Sequence, residues 1–352
     1  MTNKLHHALG IAAIAFAVAV PTAHAADITL NESGSTLLYP LFQSWIAGYR
    51  NVAPNIGLTA AATGSTAGNE QAIKGSVRIG ASDAYLSDEV ASQNPDILDI
   101  PLAISAQTVN YNLPGLNGTN IRLDGPTLAA IYSGTITEWD DPAIQAMNPN
   151  AALPHHTIVP VRRADGAGDT FIFTQFLDFS TQTWEDNPGF GSTIPWPDVA
   201  AEQTAVGNAG MVRALAATPY TVGYVGISYT DQIAKSGLGT AMIENQAGKF
   251  LLPTPQSIAD AAADLDPRTP SYERISLVFA QGDDSYPLIN YEYAVVSKSQ
   301  PDPATADALR SFLLWSISET GGNGAKYLAP VGFIPLPDFI RGLSEGQISE
   351  IR

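Results

Sequence analysis

The chain has 352 residues, 45% of them hydrophobic, which is enough for about two domains and a sizeable core and too apolar for wholesale disorder. Asp and Glu number 34 against 17 Lys and Arg, and the net charge of −17 argues against binding nucleic acid or an anionic membrane, both of which depend on clustered cations. With no cysteine present, disulfides, thiolate metal sites, thiol nucleophiles and lipid attachment at an N-terminal cysteine are excluded.

Residues 1–25 read as a secretory signal. Lys4, His6 and His7 form a positive start, Ile11 to Val20 an apolar run, and Ala23-His24-Ala25 a cleavage pattern. A run of about ten apolar residues is too short to span a bilayer, so an exported, soluble and acidic mature protein is expected. Beyond it, short strand-like runs alternate with amphipathic stretches, the pattern of an α/β fold. "DITL" predicts a strand, and the helix after it places Leu37, Leu38, Leu41, Phe42, Trp45, Ile46 and Tyr49 at helical spacing. "IGLTAAA" and "VRIGA" predict two further strands around a helix over 66–74. Helices are also predicted over 126–132, 168–177, 199–216, 257–263 and 305–318. Strands are predicted over 98–104, 107–112, 157–161, 221–225 and 289–296. "PGFGSTIPWPD" and residues 265–271 read as surface loops. No flexible linker separates two halves, which suggests a hinged molecule crossed more than once by the chain.

Three of the five histidines lie in the signal, leaving the adjacent pair His155-His156. Neighbours in an extended segment point to opposite faces, so the pair reads as surface residues rather than one metal site. That shortage weakens a Ser-His-Asp hydrolase or a histidine-based metalloenzyme.

A repeated local design is more informative. "ESGSTLLYP", "ATGSTAGNEQ" and "RADGAGDTF" each join a β-like run to a helix start through Gly34-Ser35-Thr36, Gly64-Ser65-Thr66 and Gly166-Ala167-Gly168. The first N–H groups of a helix lack internal partners and sit at the positive end of its dipole, so such turns suit an oxyanion without needing many cations. Ser, Thr and Asp are also ordinary helix caps, and each turn taken alone reads first as a cap. In "IGASDAYLSDE", Asp83 either caps the short helix after it or accepts a hydrogen bond from a protonated ligand. No Walker A or strand–GxGxxG–helix pattern is present.

Together "GSTLLYPLF", "TGSTAG", "IGASDAYLSD", "YSGTITEWDDPAI", "VRRADGAGDTF" and "YPLINYEYAVV" closely resemble the periplasmic phosphate-binding protein family of bacterial phosphate ABC importers, in the right order from about residue 27 onward. The resemblance implies a type II, two-lobed Venus-flytrap binding protein, each lobe a mixed sheet flanked by helices. It places residues 26–104 plus 285–352 in lobe I and 105–284 in lobe II, joined by hinge strands. It implies high-affinity binding of inorganic phosphate between the lobes and delivery to an ABC permease with a cytoplasmic ATPase, by a monomeric periplasmic protein that is not lipid-anchored, needs no cofactor or metal and catalyses nothing. Carried onto this chain, the phosphate-binding residues are Ser35, Thr36, Leu37, Ser65 and Asp83 from one lobe and Arg163, Ala167, Gly168 and Asp169 from the other. Asp165 would support Arg163 through a salt link. Two positions depart from the commoner pattern: Ala167 stands where many members have serine, and Asp169 where many have threonine. Asp169 is either a helix cap, the favoured reading, or a second acceptor for a phosphate proton.

Phosphate near neutral pH keeps at least one proton and sulfate keeps none, so an inward carboxylate at Asp83 would accept from phosphate and repel sulfate. The alternatives are a secreted phosphohydrolase, or a binding protein for another oxyanion such as sulfate or molybdate.

Overall fold

The computed structural model describes residues 28–352, so the expected signal at 1–25 lies outside the described residues. Twelve strands are present among the described residues: β1 (Ile28–Gly34), β2 (Ile56–Thr59), β3 (Ile79–Ser82), β4 (Ile97–Tyr111), β5 (Arg122–Leu123), β6 (Val159–Arg163), β7 (Gln203–Ala205), β8 (Thr221–Gly226), β9 (Gly239–Thr240), β10 (Met242–Glu244), β11 (Phe250–Leu251) and β12 (Ile289–Ser297). The main sheet runs β2-β1-β3-β12-β4-β8-β6-β7 with β9 on β4, and a small sheet runs β11-β10-β5.

The order follows from local sequence. β1 pairs in parallel with β2 and β3, and β6 with β7 and β8. Helices supply the crossovers, because parallel neighbours cannot be joined by a tight turn. β12 returns antiparallel between β3 and β4. The two strands predicted over 98–104 and 107–112 are one 15-residue strand, β4. Its residues 97–106 pair with β12, and residues 107–111 pair with β8. Ser105 and Gln107 interrupt the apolar run without breaking the strand, since both are buried and hydrogen-bonded, Ser105 to Glu292 of β12 and Gln107 to the Asp169 carbonyl. β4 is thus common to two mixed sheets, each flanked by helices, giving a two-lobed α/β fold.

Most predicted elements form with shifted ends, and two readings are corrected. The helix expected over 199–216 is only Gly207–Ala217. Residues 203–205 instead pair with β6, and Gly207 has a φ of 66°, which no continuous helix accommodates. A helix over Asp338–Ser349 has no counterpart among the predicted elements; Ile340 and Ile348 are its large buried residues, and Gly342 and Gly346 dilute its apolar pattern. It packs on β4. Gly34, at the end of β1, lies so close to β3 that a Cβ there would sit 2.0 Å from the Ala81 carbonyl oxygen. Only glycine permits this approach.

The core beside β1 is an aromatic cluster. Phe42, Trp45 and Tyr49, from the helix Tyr39–Tyr49, meet Phe312 of the helix Pro303–Ile317 with ring centroids 6.1, 6.2 and 5.2 Å apart. Phe312 is wholly buried. Phe312→Ala should therefore cost about 3–5 kcal/mol through lost transfer energy and an unfilled cavity. Urea unfolding of wild type and variant checks this, and a loss under about 1 kcal/mol would mean the cluster collapses around the gap.

Candidate functional site

β1 ends in the turn Ser35–Leu38, which leads into the helix Tyr39–Tyr49. The Ser35 hydroxyl accepts from the Leu38 N–H at 2.9 Å and donates to Asp83 Oδ1. The N–H groups of Thr36 and Leu37 find no acceptor within the protein, although both residues are buried. Ser65 opens the helix Ser65–Ile73, and its hydroxyl lies 3.3 Å from Asp83 Oδ2. Asp83 follows β3 and is 1% exposed. It does not cap the helix Asp88–Gln93, because Ser87 holds that position and accepts from the Val90 N–H.

β6 delivers Arg163 from the other side. Its Nε donates to Asp165 Oδ1 at 2.7 Å, Nη2 to Asp165 Oδ2, and Nη1 to Asp169 Oδ2 at 2.5 Å. These bonds use three of the five guanidinium hydrogens. Asp165 Oδ1 also accepts from the Gly207 N–H at 3.1 Å. Ala167 is the N-cap residue of the helix Gly168–Ser180 and makes no side-chain cap. Its N–H donates to the Ser192 carbonyl at 3.0 Å, whereas those of Gly168 and Asp169 find no acceptor within the protein. The cap favoured for Asp169 does not form: the residue sits in the first helical turn, but its carboxylate turns to Arg163 and to Asn208 Nδ2, the latter at 2.8 Å. A buried guanidinium without a second carboxylate would be costly, and that demand outweighs capping.

The two sets of residues meet. The Thr66 N–H donates to the Gly166 carbonyl at 3.3 Å, and the Thr66 hydroxyl reaches Ser192 Oγ at 2.9 Å. A Cβ on Gly168 would lie 2.5 Å from the Asp83 Cβ, so the helix start and the carboxylate are in direct apposition. Asn208 ties the halves: its N–H and Nδ2 donate to Thr36 Oγ1 at 3.1 and 2.9 Å, and Nδ2 also to Asp169. The Thr36 hydroxyl accepts twice there, which leaves its own hydrogen to donate elsewhere.

Four residues at this site escaped sequence reasoning: Asn208, Gln107, Ser192 and Glu292. Gln107 Nε2 donates to the Asp169 carbonyl at 2.8 Å. Gly207-Asn208 is a fourth glycine–polar turn between a strand and a helix, hidden by the overlong helix expected there.

Burial raises Asp83 to about 7, with the Asp169 charge adding to it and Arg163 opposing it. Burial likewise raises Asp169 against the pull of Arg163. Burial works to raise Asp165 too, but its bonds to Arg163 prevail and hold it below the usual carboxylate range. Burial disfavours the Arg163 charge, yet Asp165 and Asp169 more than compensate.

A family model described as the PBP superfamily domain matches residues 20–320. The phosphate-binding protein PstS of Methanocaldococcus jannaschii is 31% identical over 343 residues, covering 92% of this chain and 87% of that protein. The chain belongs to the PBP superfamily, in its family of PstS phosphate-binding proteins. A second PstS phosphate-binding protein, from Pasteurella multocida, is 29% identical over 88% of this chain and 87% of its own length. The crystal structure of a phosphate-binding protein from Stenotrophomonas maltophilia shares the fold at a TM-score of 0.70 and 20% identity, covering 90% of this chain and 93% of that one. These relatives are named as binding proteins, not enzymes.

Asp83 is one of several buried acids with raised values; Asp83 and Asp99 rise to about 7 and Glu32 and Glu273 to about 8, with burial the largest cause in each. Unfolded, all four would titrate at about 4. Their protonated forms favour the fold, so stability is greatest below about pH 4 on their account and is lost as pH rises through 7 to 8. Urea unfolding of anion-stripped protein should give a lower midpoint at pH 8.5 than at pH 5.5. A midpoint that climbs over that window would place these acids in solvent.

Proposed function

We propose that this protein binds inorganic phosphate between its two lobes and hands it to a membrane ABC permease, without catalysing a reaction. The observation that carries the reading is a buried acceptor, Asp83, set against four backbone N–H groups without protein partners: Thr36, Leu37, Gly168 and Asp169. Dibasic phosphate matches this set, having three oxygens that accept and one O–H that donates. Arg163 retains two unused hydrogens, and the Thr36 hydroxyl retains one. Sulfate offers no proton to Asp83 and would meet it as an unpaired like charge, a penalty of several kcal/mol in a buried site. Ala167 contributes apolar wall and shape, since its N–H is already engaged by Ser192.

The net charge of −17 repels an anion at long range. That field is screened over about 10 Å at ordinary salt, whereas the local donors act in contact. Two strands of lobe I, β4 and β12, border the passage into lobe II, and the lobes are read as residues 26–104 plus 285–352 and residues 105–284. Closure follows because phosphate contacts both lobes at once and so favours the closed state. We read it as a monomeric, exported protein working in the periplasm against a permease, a reading that the relatives' names as phosphate-binding proteins support as to ligand alone. Among the described residues no helix is long and apolar enough to cross a membrane. The two histidines among the described residues are engaged with other groups: His155 pairs with Asp140 at 3.1 Å, and His156 stacks on Tyr220.

Isothermal titration of stripped protein should give tight one-to-one phosphate binding and no sulfate binding. In Asp83→Asn the discrimination against sulfate should relax, because an amide can donate to an unprotonated oxygen; unchanged selectivity would remove Asp83 as the acceptor. Arg163→Ala should weaken phosphate binding by roughly 2 kcal/mol or more, the order of a buried charge-assisted hydrogen bond. An effect near zero by the same titration would take Arg163 out of the contact set.

A further inference from the structure

Beside Asp83 lies a second carboxyl group with no assigned role. Glu292 of β12 is completely buried. β12 pairs with β4 on one side, and the register slips between Glu292 and Tyr293, where an irregularity of the kind that re-aims side chains is found. On the other side Tyr293 opposes Ser82, and Asn290 Nδ2 donates to the Asp83 carbonyl at 2.8 Å, so Glu292 is held beside Asp83 by the sheet itself. Ser105 donates to Glu292 Oε1 at 2.5 Å. Glu292 Oε2 has no hydrogen-bond donor within reach, and the Glu292 and Asp83 carboxyl groups are neighbours that interact. Two carboxyl oxygens form a hydrogen bond only when one of them carries a proton.

We propose that Glu292 holds a proton and donates it to Asp83, acting as a positioning residue that fixes the acceptor carboxylate and keeps the pair at a single negative charge. The environment decides which partner keeps the proton. Asp83 has two serine hydroxyls and lies within the field of Arg163, all favouring its charged form. Glu292 has Ser105 alone, with Asp83 and Asp169 as neighbouring negative charges. Burial together with these charges pushes the Glu292 carboxyl well above the usual range.

An ionised carboxylate offers about four acceptor positions. Ser35, Ser65 and Glu292 occupy three at Asp83, which leaves one for a proton arriving on a ligand. The pair thereby counts protons: it accepts one from the anion and cannot accommodate an acceptor in its place. A charged Glu292 would instead place two adjacent anions against an incoming third. The consequence for affinity rests on the phosphate reading above, while the protonation of Glu292 does not.

Two measurements test the proposal. Infrared difference spectra of wild type against Glu292→Gln, without ligand at neutral pH, should show the loss of one protonated carboxylic-acid carbonyl stretch in the variant. In titrations with inorganic phosphate, Glu292→Leu, which cannot donate to Asp83, should bind roughly tenfold or more weakly, the order of losing a hydrogen bond to a charged group. Glu292→Gln keeps an N–H donor and should restore most of that loss. Absence of the acid band, or a Gln variant that binds tenfold or more tightly than wild type, would show Glu292 to be ionised and overturn the proposal. Leu binding equal to wild type would likewise overturn the positioning role. Should the Leu variant not fold, the Gln variant and the infrared band still decide. If wild type fails to bind phosphate, the functional reading falls, and the infrared result alone judges the proton on Glu292.

Discussion

Arg163 is the one cation among the buried side chains of the described residues, and its requirements organise the surrounding structure. A guanidinium out of water needs anionic partners on its own plane. Asp165 takes its edge from the turn after β6, and Asp169 takes one Nη from the first turn of the following helix. Those two positions hold the chain at Gly166-Ala167-Gly168 in a tight path, and that path leaves the N–H groups of Gly168 and Asp169 without protein acceptors. The salt links that stabilise the arginine therefore also shape the donor surface. Asp165 draws the start of the helix Gly207–Ala217 inward through the Gly207 N–H, and this brings Asn208 to Thr36.

Charge alone would make this a poor anion site. Asp83, Asp165 and Asp169 surround a single arginine, and Glu292 adds a further carboxyl group. The arrangement works because few of these groups are free to oppose an anion. Asp165 and Asp169 are consumed by the guanidinium, and a proton on Glu292 leaves Asp83 as the single acceptor. Attraction then comes from peptide dipoles and hydroxyls, which carry no net charge to neutralise and need little reorganisation. A protein can in this way remain acidic, and so soluble and self-repelling, without forfeiting an anion pocket.

Much of this was legible in the sequence, and the illegible part has a consistent cause. The strand–glycine–helix turns at Gly34, Gly64 and Gly166 were visible because their chemistry is local: a glycine, a small hydroxyl or acid, then an amphipathic run. The core helices were visible through their spacing, as with Leu41, Phe42 and Trp45. The failures involve pairing across the chain. Nothing local states that residues 203–205 lie beside β6, so the run through Met211 and Leu215 was extended backward into a helix and Asn208 was lost inside it. Residues 105–106 read as a break between two strands because strand readings rest on apolar alternation, and the partner that satisfies Ser105 comes from β12. Glu292, in "YEYAVV", read as one polar residue in a strand. Its significance depends on a carboxyl group 209 positions earlier in the chain.

Ala167 and Asp169, the two departures from the commoner family pattern, are best understood together. A serine and a threonine in those places would offer hydroxyl donors from a helix start. Here one position is an apolar wall and the other a carboxylate engaged with Arg163 and Asn208. Two flexible donors are thereby exchanged for an apolar wall and a second clamp on the arginine, and Asn208 binds that clamp while reaching across to Thr36. The exchange trades hydrogen bonds made by rotatable groups for rigidity of the groups that remain, and rigidity lowers the ordering cost of binding. Asn208 carries that rigidity from Asp169 to Thr36. It donates nothing directly to the cleft, but it fixes Thr36 Oγ1 with two bonds, so the hydroxyl hydrogen left over is presented in one direction. The acid at position 169 therefore need not weaken an anion site, provided the guanidinium beside it stays charged, and both flanking aspartates ensure that it does.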